Sequence, residues 1–111
     1  MEITASELAS GAALLTLDGR LNMVSAPRLR SAIEESVAAE RSRIVVDLGQ
    51  VTFMDSSGLG ALIAGLKTAR QASGDLRITG LTPQVETVMR LTNLDRVLRP
   101  HPSVEAAADG W

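Results

Sequence analysis

Ile44, Val45, Val46 and Leu48 form a β-branched-rich run that Val51 and Phe53 continue past Gly49 and Gln50, and the chain then passes almost at once into a helical pattern. A strand that is apolar at consecutive positions has to be covered on both faces, which makes it the central strand of a layered sheet. Asp47 interrupts the run. From Ser56 to about Ala72, Leu59, Leu62, Ile63 and Leu66 fall at i, i+3, i+4 and i+7, marking one buried face of a helix. A doubly covered strand followed directly by an amphipathic helix is half of a β-α-β crossover, and it restricts the chain to an α/β architecture.

The other elements fit around that pair. Ile3 to Leu8 and Ala13 to Leu17 read as short strands flanking Ala9-Ser10-Gly11, a junction suited to a hairpin. After Asp18-Gly19-Arg20-Leu21-Asn22 a helix is expected near Ser25, with Pro27 in its first turn and Leu29, Ile33 and Val37 on its apolar face. Glu34, Glu35 and Glu40 lie off that stripe and read as solvated surface. Ser73-Gly74-Asp75 ends the second helix, Leu76 to Thr79 make a strand, and Thr82-Pro83 opens a helix with Val85, Val88, Met89 and Thr92 on one face. Asn93 is a candidate left-handed terminus, Val97-Leu98 a last short strand, and Ser103 to Ala108 one frayed helical turn. The expected fold is one α/β domain over residues 1–111: a mixed, mostly parallel sheet with an N-terminal antiparallel element and helices packed against it.

Composition removes most function classes. A formal net charge of -2 gives no broad footprint for nucleic acid, so direct nucleic-acid binding is not expected. With no Cys, disulfides, thiolate metal sites and cysteine nucleophiles are excluded, and the cytoplasm is the natural compartment. The stretch from Gly58 to Leu66 ends at Lys67, short of the roughly 20 residues of a membrane span, and Met1-Glu2-Ile3-Thr4 lacks a signal-peptide pattern. Membrane insertion is therefore not expected. The single His, His101, lies between Pro100 and Pro102 in an expected C-terminal loop, a poor setting for a general base. Ser56 sits at a strand-to-helix turn but lacks the Gly-x-Ser-x-Gly elbow of a serine hydrolase, and Gly58-Leu59-Gly60 lacks the spacing of a phosphate-binding loop. No catalytic residue, metal or cofactor is expected, and Trp111 reads as a frayed terminal residue.

The segment with chemical potential is Val51 to Gly60, because ligands and partners of α/β sheets engage the loops at the carboxyl ends of strands. Asp55-Ser56-Ser57 has two readings, a helix cap and a hydroxyl placed where a helix N-terminus favours added negative charge. Gly58, Gly60 and Gly65 each cost roughly 1 kcal/mol against Ala in a helix. Gly58, Ala61 and Gly65 form a small-residue stripe, which points either to close approach by a partner or to tight packing within the chain.

Phe53-Met54-Asp55-Ser56-Ser57-Gly58-Leu59-Gly60 resembles the signature of the anti-sigma factor antagonists, the anti-anti-sigma proteins of the STAS domain family. The opening strands, Gly19-Arg20-Leu21-Asn22, Ile44-Val45-Val46-Asp47-Leu48, and Leu81-Thr82-Pro83 before Val85 are similar to that family in order and spacing, so nearly the whole chain is covered. The resemblance implies that Ser56 is the phosphorylated hydroxyl, and that Asn22, Asp55, Ser56, Ser57, Gly58, Leu59 and Gly60 form the partner-binding region. It implies further that the unmodified chain binds an anti-sigma factor of GHKL serine-kinase type and so frees a sigma factor, and that a PP2C-type phosphatase reverses the modification. The chain departs from the family at Asn22, where many members carry an acid after the second strand; Arg20 beside it reads as a solvated side chain. The alternative role within the family is a scaffold subunit of a signalling assembly or of a lipid-transport ATPase, with no phosphorylation switch.

Overall fold

The computed structural model describes residues 1–111. Five strands, β1 (Glu2–Glu7), β2 (Ala13–Leu21), β3 (Arg43–Met54), β4 (Asp75–Thr79) and β5 (Pro100–His101), lie in the order β1-β2-β3-β4-β5. The first pair is antiparallel and the remaining pairs are parallel, as the α/β reading requires. Helices α1 (Ala26–Ala38), α2 (Ser56–Gln71) and α3 (Pro83–Leu91) provide the crossovers, and a short α4 (Val104–Ala107) closes the chain.

One core joins these elements. Leu15 and Leu17 of β2, Ile44 and Val46 of β3, and Leu76 and Ile78 of β4 meet Leu29 and Ile33 of α1, Leu62 and Leu66 of α2, and Val85 and Met89 of α3. Val45 is also fully buried, so β3 is covered on both faces as its unbroken apolar run demands. Asp47 is accommodated within the run because its carboxylate turns back to accept the Gly49 N–H at 2.9 Å. On the opposite face, Arg77, which lies between Leu76 and Ile78, donates to the carbonyls of Ala107 and Asp109 at 2.9 and 3.1 Å and stacks over the Trp111 ring at 4.0 Å. Trp111, expected to fray, is thus held against the sheet by a cation–π contact.

Two further expectations are corrected. The last strand is Pro100–His101, while the chain at Val97-Leu98 follows a 3-10 turn over Leu94–Arg96. Asn93 takes the left-handed conformation with φ 58°, ends α3 and reverses the chain, so that Leu98 plugs the core. The open edge of β4 then falls to Pro100 and His101, and a proline is tolerated there because an edge strand needs few N–H groups. β2 continues past Leu17 to Leu21, taking in Asp18-Gly19-Arg20 through register shifts at which Gly19 adopts φ 119°. A dipeptide that reads as a turn in isolation is drawn into the sheet by the length of β3 beside it.

The geometry around Ser56

β3 outruns its neighbour β4: their pairing stops at Asp47, yet β3 runs on to Met54. Side chains from the start of α3 satisfy the edge left open. The Thr82 hydroxyl donates to the Val51 carbonyl at 2.8 Å. The Gln84 amide grips both sides of the Met54 residue, its Oε1 accepting from the Met54 N–H at 2.8 Å and its Nε2 donating to the Met54 carbonyl at 3.1 Å. Gln84 does here what another strand would do, and it fixes the residue immediately before Asp55.

Asp55 is the N-cap of α2 and ties three segments together. Its Oδ1 accepts from the Gly58 N–H at 2.9 Å, its Oδ2 accepts from the Met23 N–H at 3.3 Å, and its own N–H donates to the Leu21 carbonyl at 3.2 Å. Ser56, the first residue of α2, is exposed, and since Asp55 performs the capping its hydroxyl is not needed for it. Ser57 is half-buried beside it. An exposed hydroxyl at the N-terminus of a helix of 16 residues stands where an added anion is favoured.

Asn22 lies across this turn at the end of β2. Its Oδ1 accepts from the Val24 and Ser25 N–H groups at 3.0 and 3.2 Å, so it supports the first turn of α1. Ser25, expected to cap α1, instead accepts from the Asn22 N–H at 2.9 Å and donates to the Arg20 carbonyl at 2.6 Å. An Asp at position 22 would accept the same two bonds, so Asn preserves the loop and removes only the charge. Arg20 remains exposed but lies over the Phe53 ring at 4.6 Å.

Not every residue expected at this surface reaches it. Gly58 and Leu59 are buried: a Cβ at Gly58 would overlap the Leu21 carbonyl oxygen, and Leu59 joins the core. Gly65 packs with similar closeness against Ile33 of α1, so the small-residue stripe serves helix–sheet and helix–helix packing within the chain. Gly60 faces open space, with Arg30 at 4.0 Å from a Cβ built there. Asn22, Asp55, Ser56, Ser57 and Gly60 therefore remain as the accessible part of the expected site. Gln84 and the exposed pair Met23 and Val24 were not anticipated. The signal for the pair lay in two apolar residues inside an otherwise polar loop, where no strand or helix period claims them.

The STAS domain family model matches residues 5–107. The anti-sigma-B factor antagonist of Listeria monocytogenes is 29% identical over 80 residues, covering 72% of this chain and 70% of its own. The crystal structure of an anti-sigma factor antagonist from Mycobacterium paratuberculosis superposes with a TM-score of 0.81 at 30% identity, covering 96% of this chain and 91% of that one. The Bacillus cell fate determinant SpoIIAA in its phosphorylated form has the same fold, with a TM-score of 0.72 at 18% identity over 95% of this chain and 96% of its own. No helix is long and apolar enough to cross a membrane. With the family model spanning nearly the whole sheet and all its helices, the chain belongs to the STAS domain family and is similar to its anti-sigma factor antagonists.

Proposed function

We propose that this chain is a phosphorylation-controlled anti-sigma factor antagonist of the cytoplasm. Unmodified, it binds an anti-sigma factor of GHKL serine-kinase type through the surface around Ser56 and thereby frees a sigma factor. The kinase phosphorylates Ser56 and ends the interaction, and a PP2C-type phosphatase restores the unmodified form. ATP and metal belong to those partners, and this chain is their substrate. The observation that carries the reading is the exposed Ser56 hydroxyl at the start of α2, relieved of capping by Asp55.

The energetics suit a switch that leaves the fold intact. A phosphoserine adds roughly -1.5 to -2 charge, and a helix N-terminus favours negative charge by about 0.3–1 kcal/mol. Against a domain stability of about 5–15 kcal/mol this is small, and the neighbouring Asp55 carboxylate offsets part of it. In an interface, a charge left buried without a partner costs about 3–5 kcal/mol, and at about 1.4 kcal/mol per decade that weakens binding by a hundredfold or more.

Capture with wild type, Ser56→Ala and Ser56→Asp as baits, with the bound proteins identified by mass spectrometry and phosphate mapped on the wild type, tests the reading. The expected result is an anti-sigma kinase held by wild type and Ser56→Ala, lost with Ser56→Asp, and accompanied by phosphate on Ser56. Capture indifferent to both substitutions, with no phosphate, would favour a scaffold or transporter subunit instead.

A further inference from the structure

Four large apolar side chains are exposed: Met23 (72%), Val24 (81%), Leu91 (76%) and Val97 (48%). Isolated apolar side chains at a surface need no explanation, but Met23 and Val24 are consecutive and sit on a loop whose backbone is pinned. The Met23 N–H is held by the Asp55 carboxylate, the Val24 N–H by Asn22 Oδ1, and the buried Ser25 hydroxyl fastens the loop to Asn22 and to the Arg20 carbonyl. The exposure of these side chains is therefore built into the fold, and little backbone entropy remains to be lost when the pair is buried.

The pinning group matters as much as the exposure. Asp55 holds Met23 through one carboxylate oxygen and caps the helix that begins at Ser56 through the other, so the loop carrying the apolar pair and the turn carrying the serine are joined side by side. We propose that Met23 and Val24 are the apolar anchors by which this chain selects its anti-sigma factor, which offers a recess lined by aliphatic or aromatic side chains beside the contact to Ser56. This rests on the function proposed above and adds to it the determinant of partner choice. Apolar side chains that pass from water into a desolvated pocket contribute binding energy in proportion to the area they bury, and a phosphate arriving beside them would have to be desolvated in the same pocket.

The test uses the full chain and its anti-sigma factor, purified after identification as the protein held by wild type and lost with Ser56→Asp. Calorimetric titration compares wild type, the double variant Met23→Ser/Val24→Ser and the control Leu91→Ser/Val97→Ser, which alters the other exposed apolar pair at the far end of α3. The expected result is a Kd raised about a hundredfold in the first variant, equivalent to about 2.7 kcal/mol, and a change under about twofold in the control. Thermal unfolding of Met23→Ser/Val24→Ser should match wild type, since both side chains are exposed and every loop backbone bond is retained, whereas the control, whose Val97 is half-buried and whose Leu91 is helical, should melt slightly lower yet still fold.

Wild-type affinity in Met23→Ser/Val24→Ser, with Ser56→Asp still abolishing binding, would overturn the anchor proposal and leave the switch standing. Equal losses in the two double variants would also overturn it. A wild-type dimer in sedimentation that Met23→Ser/Val24→Ser dissolves would reassign the pair to contact with a second copy. If wild type holds no anti-sigma factor at all, the switch and the anchors fall together.

Discussion

Replacing Gly58 with Ala sets two effects of opposite sign against each other. Ala is favoured over Gly in a helix by about 1 kcal/mol, so local propensity predicts a more stable protein. The tertiary structure opposes this, because the new Cβ would overlap the Leu21 carbonyl oxygen and lie 2.7 Å from Leu21 Cγ and 3.1 Å from its carbonyl carbon. The carbonyl cannot readily yield, since it belongs to β2 and also accepts the Asp55 N–H. Overpacking of this kind costs about 1–3 kcal/mol, and contact with backbone puts Gly58 at the upper end, for a net loss of about 2 kcal/mol. At roughly 4 °C per kcal/mol, the melting temperature should fall by about 8 °C. Gly60→Ala supplies the contrast two residues on: its Cβ meets only Arg30 at 4.0 Å, so propensity acts alone and the melting temperature should rise by about 2–4 °C. Differential scanning calorimetry of the two variants beside wild type is decisive. Gly58→Ala as stable as wild type, or Gly60→Ala destabilised as much as Gly58→Ala, would refute the assignment of Gly58 to packing against β2.

Three other substitutions probe the supports of the Ser56 turn and the far face of the sheet. Asp55→Ala removes the cap of α2, for a loss of about 1–2 kcal/mol in urea unfolding, and should also speed hydrogen exchange at the Met23 amide, which loses its acceptor. Gln84→Ala leaves both polar groups of Met54 without their partner, and a loss of about 2–3 kcal/mol is expected by the same assay; a loss under about 0.5 kcal/mol would mean that water replaces the clamp at no cost. Arg77→Ala removes the contact with Trp111 and the bonds to the Ala107 and Asp109 carbonyls, so the Trp111 emission should shift to the red and α4 should exchange its amides faster, while exchange at the Met23 amide on the Ser56 surface stays unchanged.

Much of this architecture was legible in local pattern. The unbroken Ile44-Val45-Val46 run required a strand covered on both faces, and the i, i+3, i+4, i+7 spacing from Leu59 placed α2 and with it the serine at its first turn. Asn93 ended α3 in the left-handed conformation that its side chain tolerates. Each of these rests on forces that act over a few residues: hydrophobic period, β-branching, capping and the sterics of φ.

Tertiary structure decided the rest, for the reason that the partners lie far apart along the chain. Whether Val97-Leu98 or Pro100–His101 becomes β5 depends on which backbone reaches the open edge of β4, and the chain reversal at Asn93 settles that. Asp18-Gly19 is a turn by composition and a strand because β3 runs long beside it. The glycines of α2 look alike in sequence, yet Gly58 lies on Leu21, Gly65 on Ile33 and Gly60 on nothing. Gln84 is 30 residues from Met54 and had no signature as a clamp. Local pattern dictates the α/β layering and sets Ser56 at the mouth of α2. Only the packed sheet brought Asn22, Met23 and Val24 to the same surface, because Asp55 spans the 32 residues back to Met23 and joins two loops that no local rule relates.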